Sequence, residues 1–117
     1  MPNPVVHFEI IGKNGPALRD FYAKAFGWSA QAMPGPMDYG MVDNGGEGVN
    51  GGIGSGDRTS VTFYIAVDDP QAYLDKVEAL GGKTVQPVTE IPGVVTMAQF
   101  ADPEGNVIGI VKNEPPA

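Results

Sequence analysis

His7 and Glu9 stand two positions apart in VVHFEI, and a strand, which turns alternate side chains to opposite faces, presents both on one face. An imidazole and a carboxylate so placed can act as an acid and base pair, orient a polar ligand, or donate to a divalent ion. His7 is the only histidine and there is no cysteine, so no second imidazole and no thiolate can join them. No serine or threonine is visibly positioned as an activated nucleophile, and one histidine with Glu9 as its sole evident orienting partner is thin support for acyl transfer. A histidine satisfied by Glu9, Tyr64 or backbone makes a structural or ligand-contact role the leading reading of the pair, ahead of catalysis.

The second group with chemical content is aromatic and thioether. Trp28, Met33, Met37, Tyr39 and Met41 fall on or between the second and third predicted strands, and Tyr64, Met97 and Phe100 fall in the second half. Flat rings stack and thioethers adapt, which suits a large planar ligand, although such residues are most often core. Prolines and glycines break the segment from Met33 to Met41 enough to make it a rim or mouth. Gly48, Gly51, Gly52 and Gly54 leave a neighbouring strand almost bare, which predicts either close approach by a ligand or backbone, or a frayed edge.

The elements that must position these residues follow from periodicity. Val6, Phe8 and Ile10 alternate with Val5, His7 and Glu9. A helix follows, with Asn14 as cap, Pro16 in the first turn, Leu18, Phe21, Tyr22, Ala25 and Phe26 as its apolar stripe, and Gly27 as its stop. The plan repeats from Val61, 61 − 5 = 56 positions later: Val61, Phe63, Ile65 and Val67 alternate, Asp68 or Asp69 caps, Pro70 opens a helix burying Tyr73, Val77 and Leu80, and Gly81 and Gly82 close it.

Between and after these units lie further strands. They are expected over Trp28 to Met33, Asp38 to Asp43, Gly48 to Ile53, Thr84 to Val88 (weakened by Pro87), Val94 to Ala101 and Asn106 to Lys112. Pro34 to Pro36, Asn44 to Gly46, Glu90 to Gly93 and Asp102 to Gly105 supply the turns, and Gly54 to Arg58 reads as a linker. Each half is thus strand, helix, three strands: a single α+β domain over 1–117, with module one at about 1–56 and module two at about 57–117.

Length and a 42% apolar content suit one domain with an ordinary core. Seven basic against fourteen acidic residues give a formal charge of −7, a field that repels nucleic acid and anionic membranes. With no apolar run near the ~20 residues of a membrane span and no signal-like start in MPNPVVHF, the expected location is cytoplasmic, and absence of cysteine fits a reducing compartment.

A βαβββ module present twice, with VVHFEI, FYAKAFGW and the ADPEGNVIGIV ending, resembles the vicinal oxygen chelate superfamily, which includes glyoxalase I, bleomycin-resistance proteins and extradiol dioxygenases. The resemblance spans essentially the whole chain. It implies curved mixed sheets enclosing a cavity, helices outside facing Phe8, Phe63, Ile65 and Ile108, and a homodimer with two equivalent sites. The cavity-lining face would carry Val5, His7 and Glu9, Thr62 and Tyr64, and Val107, Gly109 and Val111.

Metal-dependent members place a ligand on the first and on the last strand of each module. Here the resemblance puts His7 at the first such position, a residue at or near Thr62 at the second, Gly109 at the terminal place of module two, and one of Asn50 to Gly52 at that of module one. Three of the four are therefore not ready ligands, and a metal would have to recruit Glu9 beside His7. The expected function is metal-free, cofactor-free binding or sequestration of a largely apolar or aromatic small molecule, as in bleomycin-resistance proteins. His7, Glu9, Trp28, Tyr39, Met41, Gly52, Thr62, Tyr64, Met97 and Gly109 are its expected contacts. The alternatives are a metal-dependent lyase, isomerase or dioxygenase centred on His7 and Glu9, and a metal-free acid and base enzyme using the same pair.

Overall fold

A computed structural model describes residues 3–35 and 37–113. In chain order the elements are β1 (Val5–Gly12), α1 (Gly15–Phe26), β2 (Ser29–Ala32), β3 (Tyr39–Asp43), β4 (Gly51–Ser55), β5 (Ser60–Val67), α2 (Pro70–Ala79), β6 (Lys83–Ile91), β7 (Val95–Ala101) and β8 (Val107–Lys112). This is a mixed α+β fold of eight strands and two helices, with the βαβββ order in each half. Residues 6–62 form one compact unit, and residues 63–113 with 3–5 form the other.

In the first unit the strand order is β2-β3-β4-β1, antiparallel except where β1 runs parallel to β4. Asn14 caps α1 by accepting from the Ala17 amide at 3.1 Å, and Gly27 ends it at φ 73°, a conformation open to glycine at little cost. Trp28 closes an aromatic stack on the helix side of the sheet, 5.5 Å from Phe8 and 5.4 Å from Tyr22 between ring centroids. The apolar stripe expected on α1 is only partly inward: Phe21 and Phe26 are exposed, and the buried side chain is Arg19. Arg19 fits there because every donor it turns inward is answered. Nη1 donates to the Ile53 carbonyl at 2.9 Å, Nη2 to Asp38 Oδ1 at 2.8 Å, and Ser55 Oγ donates to Asp38 Oδ2 at 2.6 Å while accepting from the Gly15 amide at 2.7 Å. This chain pins the start of α1 to β4. Ser55 therefore ends a strand, although a linker was expected from Gly54.

The second unit repeats the order as β5-β8-β7-β6, with β5 parallel to β8. Val67, Leu74, Ala98 and Ile110 form its core, flanked by Ile65, Tyr73 and Phe100. Leu74, not Leu80, is the leucine α2 buries; Leu80 sits at the C-cap, 73% exposed. The helical period runs through Tyr73, Leu74 and Val77 and ends before Leu80 comes round. The amide of Ala66 donates to the Pro4 carbonyl at 2.9 Å, which holds residues 3–5 in this unit. Pro87 does not shorten β6 as expected: the strand runs to Ile91 and absorbs the proline in irregular pairing between Gln86 and Thr89, on the last strand of the order, where a missing donor is tolerated.

The DPEGN turn is held by Asp102, whose carboxylate accepts from the amides of Glu104 (2.9 Å) and Asn106 (3.0 Å) and from Asn106 Nδ2 (2.9 Å). Those bonds hold its carboxyl below the ordinary 3.8, as the Arg19 and Ser55 bonds do for Asp38. A carboxyl whose native pKa lies below its unfolded value stabilises fully above the unfolded value, and that contribution is lost as pH falls through the native one. The part of the urea midpoint that these two carboxyls supply should thus stay level down to about pH 5 and be lost below about pH 4. Asp38→Asn and Asp102→Asn should each make that fall shallower; an unchanged acid limb in both variants would contradict the assignment.

Candidate functional site

On β1 the side chains of His7, Glu9 and Ile11 share one face, and register carries that face across the unit: Glu9 pairs with Gly52 and Gly52 with Met41, while Ile11 pairs with Gly54 and Gly54 with Tyr39. The bare strand is bare because Tyr39 lies across it. A Cβ on Gly52 would run into the phenol oxygen, Cζ and Cε2 of Tyr39, and one on Gly54 would come within 2.8 Å of its Cδ1. The two glycines form a floor on which the ring rests, and the phenol oxygen reaches 2.9 Å from His7 Nε2.

Glu9 stands on the same face as His7. Burial pushes the Glu9 carboxyl above its ordinary 4.5 and the neighbouring Tyr39 hydroxyl draws it back; burial pulls His7 below 6.5. Phenol and imidazole can each donate or accept, so the His7 tautomer decides which of them gives the proton across the 2.9 Å contact. His7, Tyr39 and Glu9 are one polar cluster.

The second unit carries a counterpart in the opposite sense. Tyr64 pairs with Gly109 and Gly109 with Gln99, and a Cβ on Gly109 would collide with the Tyr64 ring, 2.6 Å from its Cζ. Gln99 Nε2 donates to the Tyr64 hydroxyl at 2.9 Å. In the first unit a tyrosine on β3 spans the terminal-strand glycine toward β1; in the second, a tyrosine on β5 spans it toward β7. Gln86 reaches from β6 to the Met97 sulfur at 3.6 Å, and Met97 is buried on the face that holds Gln99.

Of the residues singled out by sequence, His7, Glu9, Tyr39, Met41 and Gly52 come together on one face of the first unit. Tyr64, Met97 and Gly109 share a face of the second, and Thr62, two positions before Tyr64, is buried. Trp28 is not among them: it stacks on the helix side, with Phe8. Gln99 and Gln86 were not anticipated, because a glutamine on an alternating strand gives no signal distinct from a solvated face. Tyr39 was anticipated as a ligand contact; that it fills the glycine strip itself needs the register.

The metal that the resemblance brings with it does not fit these residues. Gly52 and Gly109 offer no donor, and the space above each is taken by a phenol ring. Thr62 offers only a neutral hydroxyl, and no group of three or more His, Cys, Asp or Glu side chains gathers among the described residues. Two hollows of about 280 and 340 Å³ open elsewhere on the first unit, one beside Ile10, Leu18 and Val61, the other beside Arg19, Ala23 and Ala30. Among the described residues no helix is long and apolar enough to cross a membrane.

Comparison with known proteins agrees with this fold. The chain is 33% identical over 103 residues to "Putative glyoxylase CFP32" of Mycobacterium bovis, covering 80% of this chain and 40% of that one. It is 27% identical over 128 residues to the anthracycline biosynthesis protein DnrV of Streptomyces peucetius, covering 93% and 46%. The chain thus spans less than half the length of these curated relatives. A solved structure from Vibrio splendidus 12B01, a glyoxalase/bleomycin resistance protein/dioxygenase superfamily member, superposes with a TM-score of 0.67 at 15% identity, over 96% of this chain and 100% of that one. The model of the glyoxalase-like domain matches residues 12–111, and with the doubled βαβββ fold this places the chain in the glyoxalase-like family of the vicinal oxygen chelate superfamily.

Proposed function

We propose that this chain binds a largely apolar, aromatic small molecule without a metal, holding it rather than converting it. Its contacts in the first unit are His7, Glu9, Tyr39, Met41 and Gly52; Thr62 and, in the second unit, Tyr64, Met97 and Gly109 are taken as ligand contacts in their own right, and the assembly as a homodimer. The observation that carries this reading is the phenol of Tyr39, lodged over Gly52 and bonded to His7. It engages His7 and puts a ring that stacks flat groups where, among the described residues, a metal would have to recruit His7 and Glu9. The kinship with a protein of anthracycline biosynthesis supports the aromatic ligand class.

A native mass spectrum of protein purified gently from its own host tests this. The expected result is a dimer carrying an organic adduct and no metal; a mass heavier by a divalent ion overturns the reading. The hydrogen bond between His7 and Tyr39, with Glu9 on the same face, also favours a second reading, proton transfer in a metal-free isomerisation or cyclisation. Under it, turnover of a candidate substrate would lose its pH dependence in His7→Ala, whereas under the binding reading no turnover accompanies binding.

A further inference from the structure

We propose that Tyr39 is an internal stand-in for the ligand, and that the site receives a hydroxyaryl group lying flat on the Gly52 and Gly54 strip with its hydroxyl between His7 and Glu9. This rests on the metal-free binding reading and narrows its ligand class. The first ground is shape. Gly52 and Gly54 lie on one face of one strand; over Gly52 the nearest atoms are those of a single aromatic ring, and beside Gly54 the same ring stands next to the Asp38 carbonyl. The second is polarity. The group at the end of that ring is hydrogen-bonded to His7 Nε2 at 2.9 Å, and a phenol can donate or accept at that one atom, whichever nitrogen of His7 carries the proton. A ligand carboxylate would face Glu9, on the same strand face, as a like charge. A bare arene would leave the partly buried His7 nitrogen without the bond that Tyr39 gives it.

The third ground is that Tyr39 can leave. It is the first residue of β3, half-buried, and directly follows the loop that holds Pro34 and Gly35. Its backbone is held by the bond from the Met33 amide to its carbonyl at 2.8 Å, so a turn about χ1 lifts the ring without breaking the strand. Lifting it takes from His7 the hydrogen bond to the phenol. The open state is therefore costly unless a ligand restores that bond, and the closed state lowers apparent affinity by its share of the population.

The test is a calorimetric titration of the full chain and of Tyr39→Ala with p-cresol, the tyrosine side chain itself, and with toluene, which lacks only the hydroxyl. Tyr39→Ala should bind p-cresol about tenfold more tightly than the unaltered chain does, since the competing ring is gone. It should prefer p-cresol to toluene about tenfold, and adding His7→Ala should erase that preference. Equal affinity for the two probes, or no gain on removing Tyr39, overturns the proposal.

Should Tyr39→Ala not fold, the unaltered chain still decides the matter, because His7 is the only histidine and gives one set of ring signals in a nitrogen-detected spectrum. 2-Naphthol should shift them and naphthalene should not; a shift with both, or with neither, overturns it. Failure here is separable from failure of the parent reading. A retained organic ligand without a hydroxyl would sink the hydroxyaryl class and leave metal-free binding standing, whereas a bound divalent ion would sink both.

Discussion

Arg19→Ala should lower unfolding stability by about 3 kcal/mol and the melting temperature by about 10 °C. The loss has identifiable parts. Ile53 is fully buried, and its carbonyl accepts from Arg19 Nη1, so removing the guanidinium leaves a buried acceptor unanswered. The Asp38 carboxylate loses its counter-ion, and the arginine stem, which passes 2.5 Å from where a Cβ on Gly40 would stand, leaves a void against β3. Arg19→Met keeps much of the stem and should recover part of the loss. Asp38→Asn added to Arg19→Met should recover more, because the stranded charge is then gone. Urea unfolding of the four proteins decides this; a loss under about 1 kcal/mol in Arg19→Ala would mean the network is solvated and idle.

That network also shows where reading a sequence stops. The doubled βαβββ plan was legible because each strand alternates, Asn14 and Asp69 cap as caps should, and Gly27 ends its helix in the left-handed region. These are local rules acting over a few residues. Arg19 inside and Phe21 outside break the helical rule, since whether an arginine goes inward depends on Asp38, Ser55 and the Ile53 carbonyl, all distant along the chain. Trp28 misled for the same reason: composition offers an indole to any apolar surface, and only the position of Phe8 and Tyr22 directs it to the helix side.

The site was legible in its residue types but not in its construction. His7 and Glu9 on one face follow from the period of two, and the glycines on β4 announce a close approach. What approaches Gly52 is a side chain of this chain itself. The face on which His7 and Glu9 stand is thus completed by Tyr39 from two strands away in the sheet order. A pattern of glycines opposite a tyrosine on the adjoining strand was the available signal, and its recurrence as Gly109 opposite Tyr64 would have strengthened it.

Gly109→Ala and Gly52→Ala put that construction under load and should differ. At Gly109 the added methyl meets the Tyr64 ring, which is 5% exposed and carries a bond from Gln99. Overpacking of that kind costs about 3 kcal/mol. In a Tyr64→Ala background the same change should cost nothing, and gain a few tenths of a kcal/mol from the stiffer backbone, so the cycle isolates the collision. At Gly52 the methyl meets the phenol end of Tyr39, but that ring is half-buried and sits at the first residue of its strand. It can swing aside, so the cost falls to about 1 kcal/mol, the hydrogen bond to His7 that it forfeits. The His7 ring signals should shift in Gly52→Ala and stay in place in Gly109→Ala. Equal losses at the two glycines would mean that Tyr39 is as locked as Tyr64, and a ligand would then have to bind on top of the phenol instead of in its place.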